Sequence, residues 1–279
     1  MTTTQQISNV HSDVAVKAKT GADIVVESLE VRGVTHVFGI PGAKIDKVFD
    51  RLRDSSIKTV VCRHEQNAAF IAGGIGRMTG KAGVTIATSG PGVSNLVTGL
   101  ATANSEGDPL VALGGTVAVA DRLKSIHQTL DSVSVCRPVT KYAAEVNSPA
   151  ATGEVIAAAF RAAEAGRPGS SFVSLPMDIM AGEAACRPIP FSAFVEQGPA
   201  AKESLWEASR LINSAKTPVI LLGLMASKPK FATAIRNLLG ITIVPVVATF
   251  HAGNRRTTSN LTASGRVRCK GGSGIPSCR

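Results

Sequence analysis

Aromatic residues are the scarcest class in this 279-residue chain, at 4%, with one tryptophan (Trp206) and one tyrosine (Tyr142). Its core must therefore be assembled from Val, Ile, Leu and Ala, as in parallel sheets covered by helices. A membrane-length apolar run is also missing. The longest, Val219 to Ala226, falls well short of the roughly 18 residues that a span requires. The first twenty residues are polar and lack the apolar stretch of a secretory signal. The five cysteines (Cys62, Cys136, Cys186, Cys269 and Cys278) form no CxxC pair and have no histidine at metal spacing. That excludes a disulfide framework and a zinc site, and a reduced, cytoplasmic setting without a membrane partner is expected.

What is present is ordinary for a globular protein: 44% hydrophobic and 18% charged residues. The net charge of +10 is unevenly placed. Six of those charges (Arg255, Arg256, Arg266, Arg268, Lys270 and Arg279) fall in residues 251–279, which hold no Asp or Glu, leaving +4 for the first 250 residues. A basic tail can attract nucleic acid, but no interleaved aromatics accompany it, so no specific nucleic-acid partner is expected.

Five domain-level segments are expected. Residues 1–18 form a disordered lead-in. From 19 to 178, helical periods alternate with short apolar runs. Helices are expected at Ala22–Val31, Lys44–Leu52, Gln66–Thr79, Val93–Asn104 and Gly153–Ala165. Strands are expected at Val34–Gly39, Ile57–Cys62, Gly83–Thr88, Leu110–Gly114 and Ser171–Leu175, with an irregular stretch before the last pair. That rhythm predicts an α/β fold, a doubly wound parallel sheet with helices on both faces. Residues 179–202, with Pro188, Pro190 and Pro199, read as a linker. A second α/β unit spans 203–250, with helices at Leu205–Ala215 and Phe231–Leu239 and strands at Val219–Gly223 and Ile241–Val247. It is short against the roughly 100–150 residues of a usual domain. Residues 251–279 read as a basic low-complexity tail, or as a stretch translated out of frame.

Two nucleotide-binding fingerprints fail on required positions. Gly74-Ile-Gly76 and Gly90-Pro-Gly92 lack the third glycine of GxGxxG, with Thr79 and Asn95 standing there. Gly80-Lys81 is followed by Ala82, and Ile75 occupies the first position of a P-loop. Three other loops, at 38–43, 63–67 and 88–92, fall where a predicted strand ends and a helix begins. Open parallel sheets bind ligands at those ends. A carboxylate, Glu65, stands in one of them, although a lone Glu opening a helix is commonly a partner of the helix dipole.

The segments FGIPGAK (38–44), RHEQNAAFIAGGIGRMTGKAGV (63–84), TSGPGVSNLVTGLATANSEGDPLVALGG (88–115), PVTKYA (138–143) and RPGSSFVSLPMDI (167–179) resemble thiamine-diphosphate-dependent enzymes. The resemblance is to acetolactate synthases of the catabolic, butanediol-pathway type, and TPVILLGLMASKP (217–229) carries it into their middle domain. GAKIDKVFD (42–50) and ANSEGDP (103–109) favour that branch over acetohydroxyacid synthase large subunits and pyruvate oxidases. A non-catalytic dimerisation or regulatory module is a further alternative.

The resemblance implies the pyrimidine-binding domain of such an enzyme and gives Glu65 a catalytic role: its carboxylate hydrogen-bonds N1′ of the cofactor's aminopyrimidine. Such proton handling is typically worth about 10²- to 10⁴-fold in rate. Ile40, Pro41, Gly42 and Ala43 should line the same ring. Gln128 should face cofactor and substrate, and Lys141 should lie near the substrate entrance. Cys136 stands where the resemblance leads one to expect phenylalanine. The reaction implied joins two pyruvates, with loss of carbon dioxide, to give 2-acetolactate in a homo-oligomer whose active sites lie between chains. Such enzymes hold the diphosphate through Mg²⁺ on a Gly-Asp-Gly motif. None occurs here, the nearest being Gly107-Asp-Pro109. The Mg²⁺ ligands are therefore expected in a C-terminal domain outside this chain, no metal ligand is assigned within it, and an N-terminal fragment inactive by itself is expected. FAD would accompany the biosynthetic branch and is not expected, although its site would also fall outside the chain.

Overall fold

The computed structural model describes residues 18–190, 198–227, 229–241 and 244–249. The expected lead-in up to residue 17, the tail from 251 onward and part of the linker lie outside the described residues. The chain divides into two compact units, Met1–Ser192 and Ala193–Arg279.

In the first unit the elements follow in chain order as α1 (Gly21–Val31), β1 (His36–Gly39), α2 (Asp46–Arg53), β2 (Lys58–Val61), α3 (Glu65–Thr79), β3 (Gly83–Ala87) and α4 (Pro91–Glu106). Then come β4 (Leu110–Thr116), α5 (Ser132–Cys136), β5 (Tyr142–Glu145), α6 (Thr152–Glu164), β6 (Ser170–Pro176) and α7 (Met177–Ala181). All six strands pair in parallel, in the order β2-β1-β3-β4-β6-β5. The order reverses between β1 and β3, the sort of place where open sheets part their loops into a crevice. This is the α/β, doubly wound parallel sheet that the alternating apolar runs predict.

Central strands β3, β4 and β6 are buried along their whole length, so both their faces must be apolar or hydrogen-bonded within the sheet. One apolar cluster, built on Leu29, Ile45, Leu52, Ile86, Leu113 and Phe160, fills the side covered by α1, α2 and α6. The other, with Ala69, Val93, Leu96, Leu100, Cys136 and Phe172, fills the side of α3, α4 and α5.

Local chemistry sets the helix ends. Thr20 caps α1: its hydroxyl accepts from the Asp23 amide while Asp23 accepts from the Thr20 amide at 2.7 Å. Pro91 opens α4 as its first residue, a position where a missing N–H leaves nothing unsatisfied. Gly80 and Gly107 close α3 and α4 in the left-handed region.

The stretch expected to be irregular contains two elements, α5 and the edge strand β5. β5 is four residues long and half-buried throughout, so it carries no apolar run long enough to read. Residues 182–187, read from the sequence as linker, also lie against the first unit. Gly182 O accepts from the Gly21 amide at 3.0 Å, and the Ala184 amide donates to Lys19 O at 2.7 Å.

The second unit comprises α8 (Lys202–Ser214), β7 (Ile220–Leu222), α9 (Pro229–Ile241) and β8 (Val246–Ala248), with β7 and β8 paired in parallel. Among its described residues, Leu222 and Ala232 are the buried apolar ones, whereas no residue of α8 is buried. The strand expected at Ile241–Val247 is corrected: Ile241 ends α9, and the ladder begins only at Val246. Pro245 has no N–H to donate, so pairing within β8 starts after it, while its carbonyl accepts from Ile220 at 2.9 Å. No helix among the described residues is long and apolar enough to cross a membrane.

Candidate functional site

The carboxyl ends of β1, β2, β3 and β4 emerge on one edge of the sheet, and the loops that follow them build the candidate site. After β1, the Ile40 amide donates to Ile86 O at 3.3 Å, which ties the Ile40–Ala43 loop to β3. Ile40 and Gly42 are half-buried; Pro41 and Ala43 are exposed along the rim. Gly42 is required by close packing: a Cβ there would stand 2.6 Å from the Thr88 Cβ. Thr88 Oγ1, beneath that loop, is buried and has no hydrogen-bond partner among the described residues.

After β2, His64 caps α3 by accepting the Gln66 amide on its Nδ1 at 3.1 Å. Glu65 is thereby the first helical residue, and its side chain turns inward to 9% exposure. A carboxylate at that depth persists only with polar partners. One oxygen, Oε2, accepts from Asn95 Nδ2 at 3.0 Å. The other, Oε1, faces Gly92, whose missing Cβ would lie 3.5 Å away. A Cβ there would make only ordinary contact with that oxygen. Cys62, just upstream, has its thiol pushed up by burial.

After β3, the Thr88–Gly92 turn brings α4 against α3. A Cβ on Gly99 would overlap that of Ala69, and this close approach puts Asn95 within reach of Glu65. After β4, a long loop returns to the same turn. Ser89 Oγ donates to Gln128 Oε1 at 3.2 Å, and Gln128 itself adopts φ 67°, a left-handed conformation uncommon for a residue with a Cβ. The loop is pinned at its base: the Val119 amide donates to Asp178, Arg122 pairs with Glu145, and Ser174 Oγ donates to Glu145 Oε2 at 3.0 Å.

Of the residues singled out in the sequence, Ile40, Pro41, Gly42, Ala43, Glu65 and Gln128 thus belong to loops or helix starts at one edge of the sheet. Lys141 does not join them. It precedes β5, at the amino ends of the strands, where its backbone N–H donates to Ser170 O and its Nζ donates to Ala165 O at 2.8 Å. In a parallel sheet, a residue ahead of a strand and one behind its neighbour lie at opposite edges. Asn95 was read only as a failed third glycine. The signal that points to it is the stripe Gly92, Gly99, Ala103 facing α3, in which Asn95 is the one amide at helical spacing.

Chemically, the arrangement offers a buried acceptor beside small residues, suited to an N–H on a flat ring. Among the described residues, no group of three or more His, Cys, Asp or Glu side chains could hold a metal ion.

Residues 19–135 match the family described as thiamine pyrophosphate enzyme, N-terminal TPP binding domain. The chain is 56% identical over 220 residues to a catabolic acetolactate synthase of Raoultella terrigena, covering 79% of this chain and 39% of that protein. It is 49% identical over 232 residues to an acetolactate synthase of Bacillus subtilis, covering 83% of this chain and 41% of the relative. A probable acetolactate synthase large subunit of Methanocaldococcus jannaschii is 37% identical over 210 residues, 73% of this chain and 35% of that protein. The chain thus spans about two fifths of the length of the first two of these curated relatives.

Proposed function

The first unit of this chain belongs to the thiamine pyrophosphate enzyme N-terminal TPP binding domain family, and from that premise we propose that it holds the aminopyrimidine ring of thiamine diphosphate for the acetolactate synthase reaction. The observation that carries the reading is the Glu65 carboxylate, buried at the carboxyl edge with Oε2 fixed by Asn95 and Oε1 facing a glycine. In this reading Glu65 Oε1 accepts a hydrogen bond from protonated ring N1′ and holds that proton in place during turnover. Ile40, Pro41, Gly42 and Ala43 flank the ring and keep water from it. Gln128, locked against Ser89, presents its amide toward cofactor and substrate. When bound, thiamine diphosphate supplies the electron sink for decarboxylating pyruvate and passing a two-carbon unit to a second pyruvate, giving 2-acetolactate. Lys141 has no part in this reading.

Mg²⁺ and the diphosphate are assigned to residues outside this domain, and the reading needs no FAD. A cytoplasmic homo-oligomer is part of the proposal. Its support is the outer face of α3, where Phe70, Ile71, Ile75 and Met78 are exposed at helical spacing, Met78 to 81%. Such contiguous apolar faces mark surfaces that are covered in assemblies. A second copy of the chain is the proposed cover.

Saturation-transfer NMR with thiamine tests the ring site directly in the 279-residue protein. Transfer to the pyrimidine H6 and 2′-methyl protons is expected, and it should be strongly reduced in Glu65→Gln. Equal transfer in both proteins would refute the assignment.

A further inference from the structure

We infer that Asn95 is a positioning residue that decides which hydrogen-bonding sense Glu65 presents to the cleft. The inference rests on the ring-binding function proposed above and adds what sets its polarity. A carboxylate can only accept, so the Asn95 side chain must turn its NH₂ toward Glu65, as the 3.0 Å contact from Nδ2 to Oε2 requires. The backbone that carries Asn95 is held against α3, because Gly99 on the same helix is packed directly on Ala69. One oxygen of Glu65 is therefore occupied by a fixed donor. The other, beside Gly92, remains a pure acceptor, and the matching ligand atom is a protonated ring nitrogen.

The consequence is specific. In Glu65→Gln the Asn95 NH₂ still captures the amide oxygen, so the new NH₂ is what faces the cleft. That substitution reverses the polarity of the site as well as removing charge. In Asn95→Asp two acceptors face each other with no donor between them, and Glu65 loses its fixed orientation. Combining the two restores order: the carboxylate at position 95 accepts from the NH₂ at position 65, turning the amide oxygen to the cleft as an acceptor again. A residue that merely packs would not give such a rescue.

The test is the dissociation constant of thiamine, measured by saturation-transfer titration at a pH low enough for ring N1′ to carry its proton, on the full chain and on Glu65→Gln, Asn95→Asp and the double variant. Unfolding midpoints, with Asn95→Ala as a second variant at that position, identify any protein that fails to fold. Each single substitution is expected to weaken binding about tenfold or more, the usual weight of a hydrogen bond to a charged group. The double variant is expected to bind at least about fivefold tighter than either single, a coupling in the range seen for directly touching side chains. A double variant no tighter than the weaker single, or Asn95→Asp and Asn95→Ala both binding like the parent, would overturn the inference. No transfer in the parent protein would defeat the ring-binding function instead. The bond is then read without ligand: the Asn95 side-chain amide protons should shift and exchange faster in Glu65→Ala, and an unchanged signal would overturn the role of Asn95.

Discussion

Cys136 shows how much one side chain's surroundings differ from what its identity suggests. The resemblance leads one to expect phenylalanine at this position. In the fold it is fully buried, in the apolar cluster that also holds Phe172 and Leu100. Burial pushes its thiol up to about 12, because the thiolate cannot be solvated there. The folded state therefore holds this proton more tightly than the unfolded chain, whose thiol titrates near 9. The stability linked to it is fully present below pH about 9 and is lost as the pH rises toward about 12. Tyr142, also raised chiefly by burial, acts in the same direction. Urea unfolding between pH 8 and 11 should show stability falling with pH, with a shallower fall in Cys136→Ala. The native protein should also leave Cys136 unmodified by thiol reagents at pH 8. Equal slopes for both proteins would mean that the thiol is not sequestered.

At the scale of elements, the site depends on how closely α3 and α4 approach each other. Neither helix has a strong local reason to sit so near the other. Small residues at Ala69, Gly73, Gly99 and Ala103 permit it, and the contact carries Asn95 to Glu65. Gly99→Ala should therefore force the helices apart and destabilise the unit by about 1–3 kcal/mol, the usual range for overpacking. Gly74→Ala makes a sharp control, since a Cβ there meets nothing within 4 Å. In a monomer, where this side of α3 is exposed, that change should stabilise by up to about 1 kcal/mol, so both substitutions are compared on the Ile75→Asp background. Denaturant midpoints measured side by side decide the matter, and similar losses at both positions would show that helix–helix separation is not the constraint. The helices themselves were legible from periodicity and from Pro91, Gly80 and Gly107 at their ends. Strand β5 was not, because Tyr-Ala-Ala-Glu at a sheet edge needs no apolar run. The start of β8 was misplaced because the apolar run Ile241–Val247 spans a proline that divides helix from strand.

For the whole molecule, the exposed face of α3 matters most. Phe70, Ile71, Ile75 and Met78 line up on the side turned away from the sheet, where an isolated unit would leave them in water. Covered by a second copy, that face would also set the Glu65 loop close to the neighbouring chain, since Glu65 begins the same helix. Sedimentation velocity on Ile75→Asp should show a shift from dimer to monomer, with at least about a tenfold weaker association, because an unpaired charge would have to be buried. An unaltered sedimentation profile would assign assembly to another surface. Among the described residues of the second unit, Leu205, Trp206, Leu211 and Ile212 of α8 are exposed.

The order of apolar runs and helical periods along the chain was enough to determine a parallel α/β sheet, the edge at which its loops gather and the carboxylate that stands there. Those features are local: each depends on residues within one strand, one helix or one turn. Tertiary structure alone decided that Glu65 meets Asn95, thirty positions away, and that Lys141 lies at the opposite edge from the residues it was grouped with. Such pairings depend on the distance between two helices and on the direction in which an edge strand enters the sheet. Neither quantity is written in the spacing of residues along a single element.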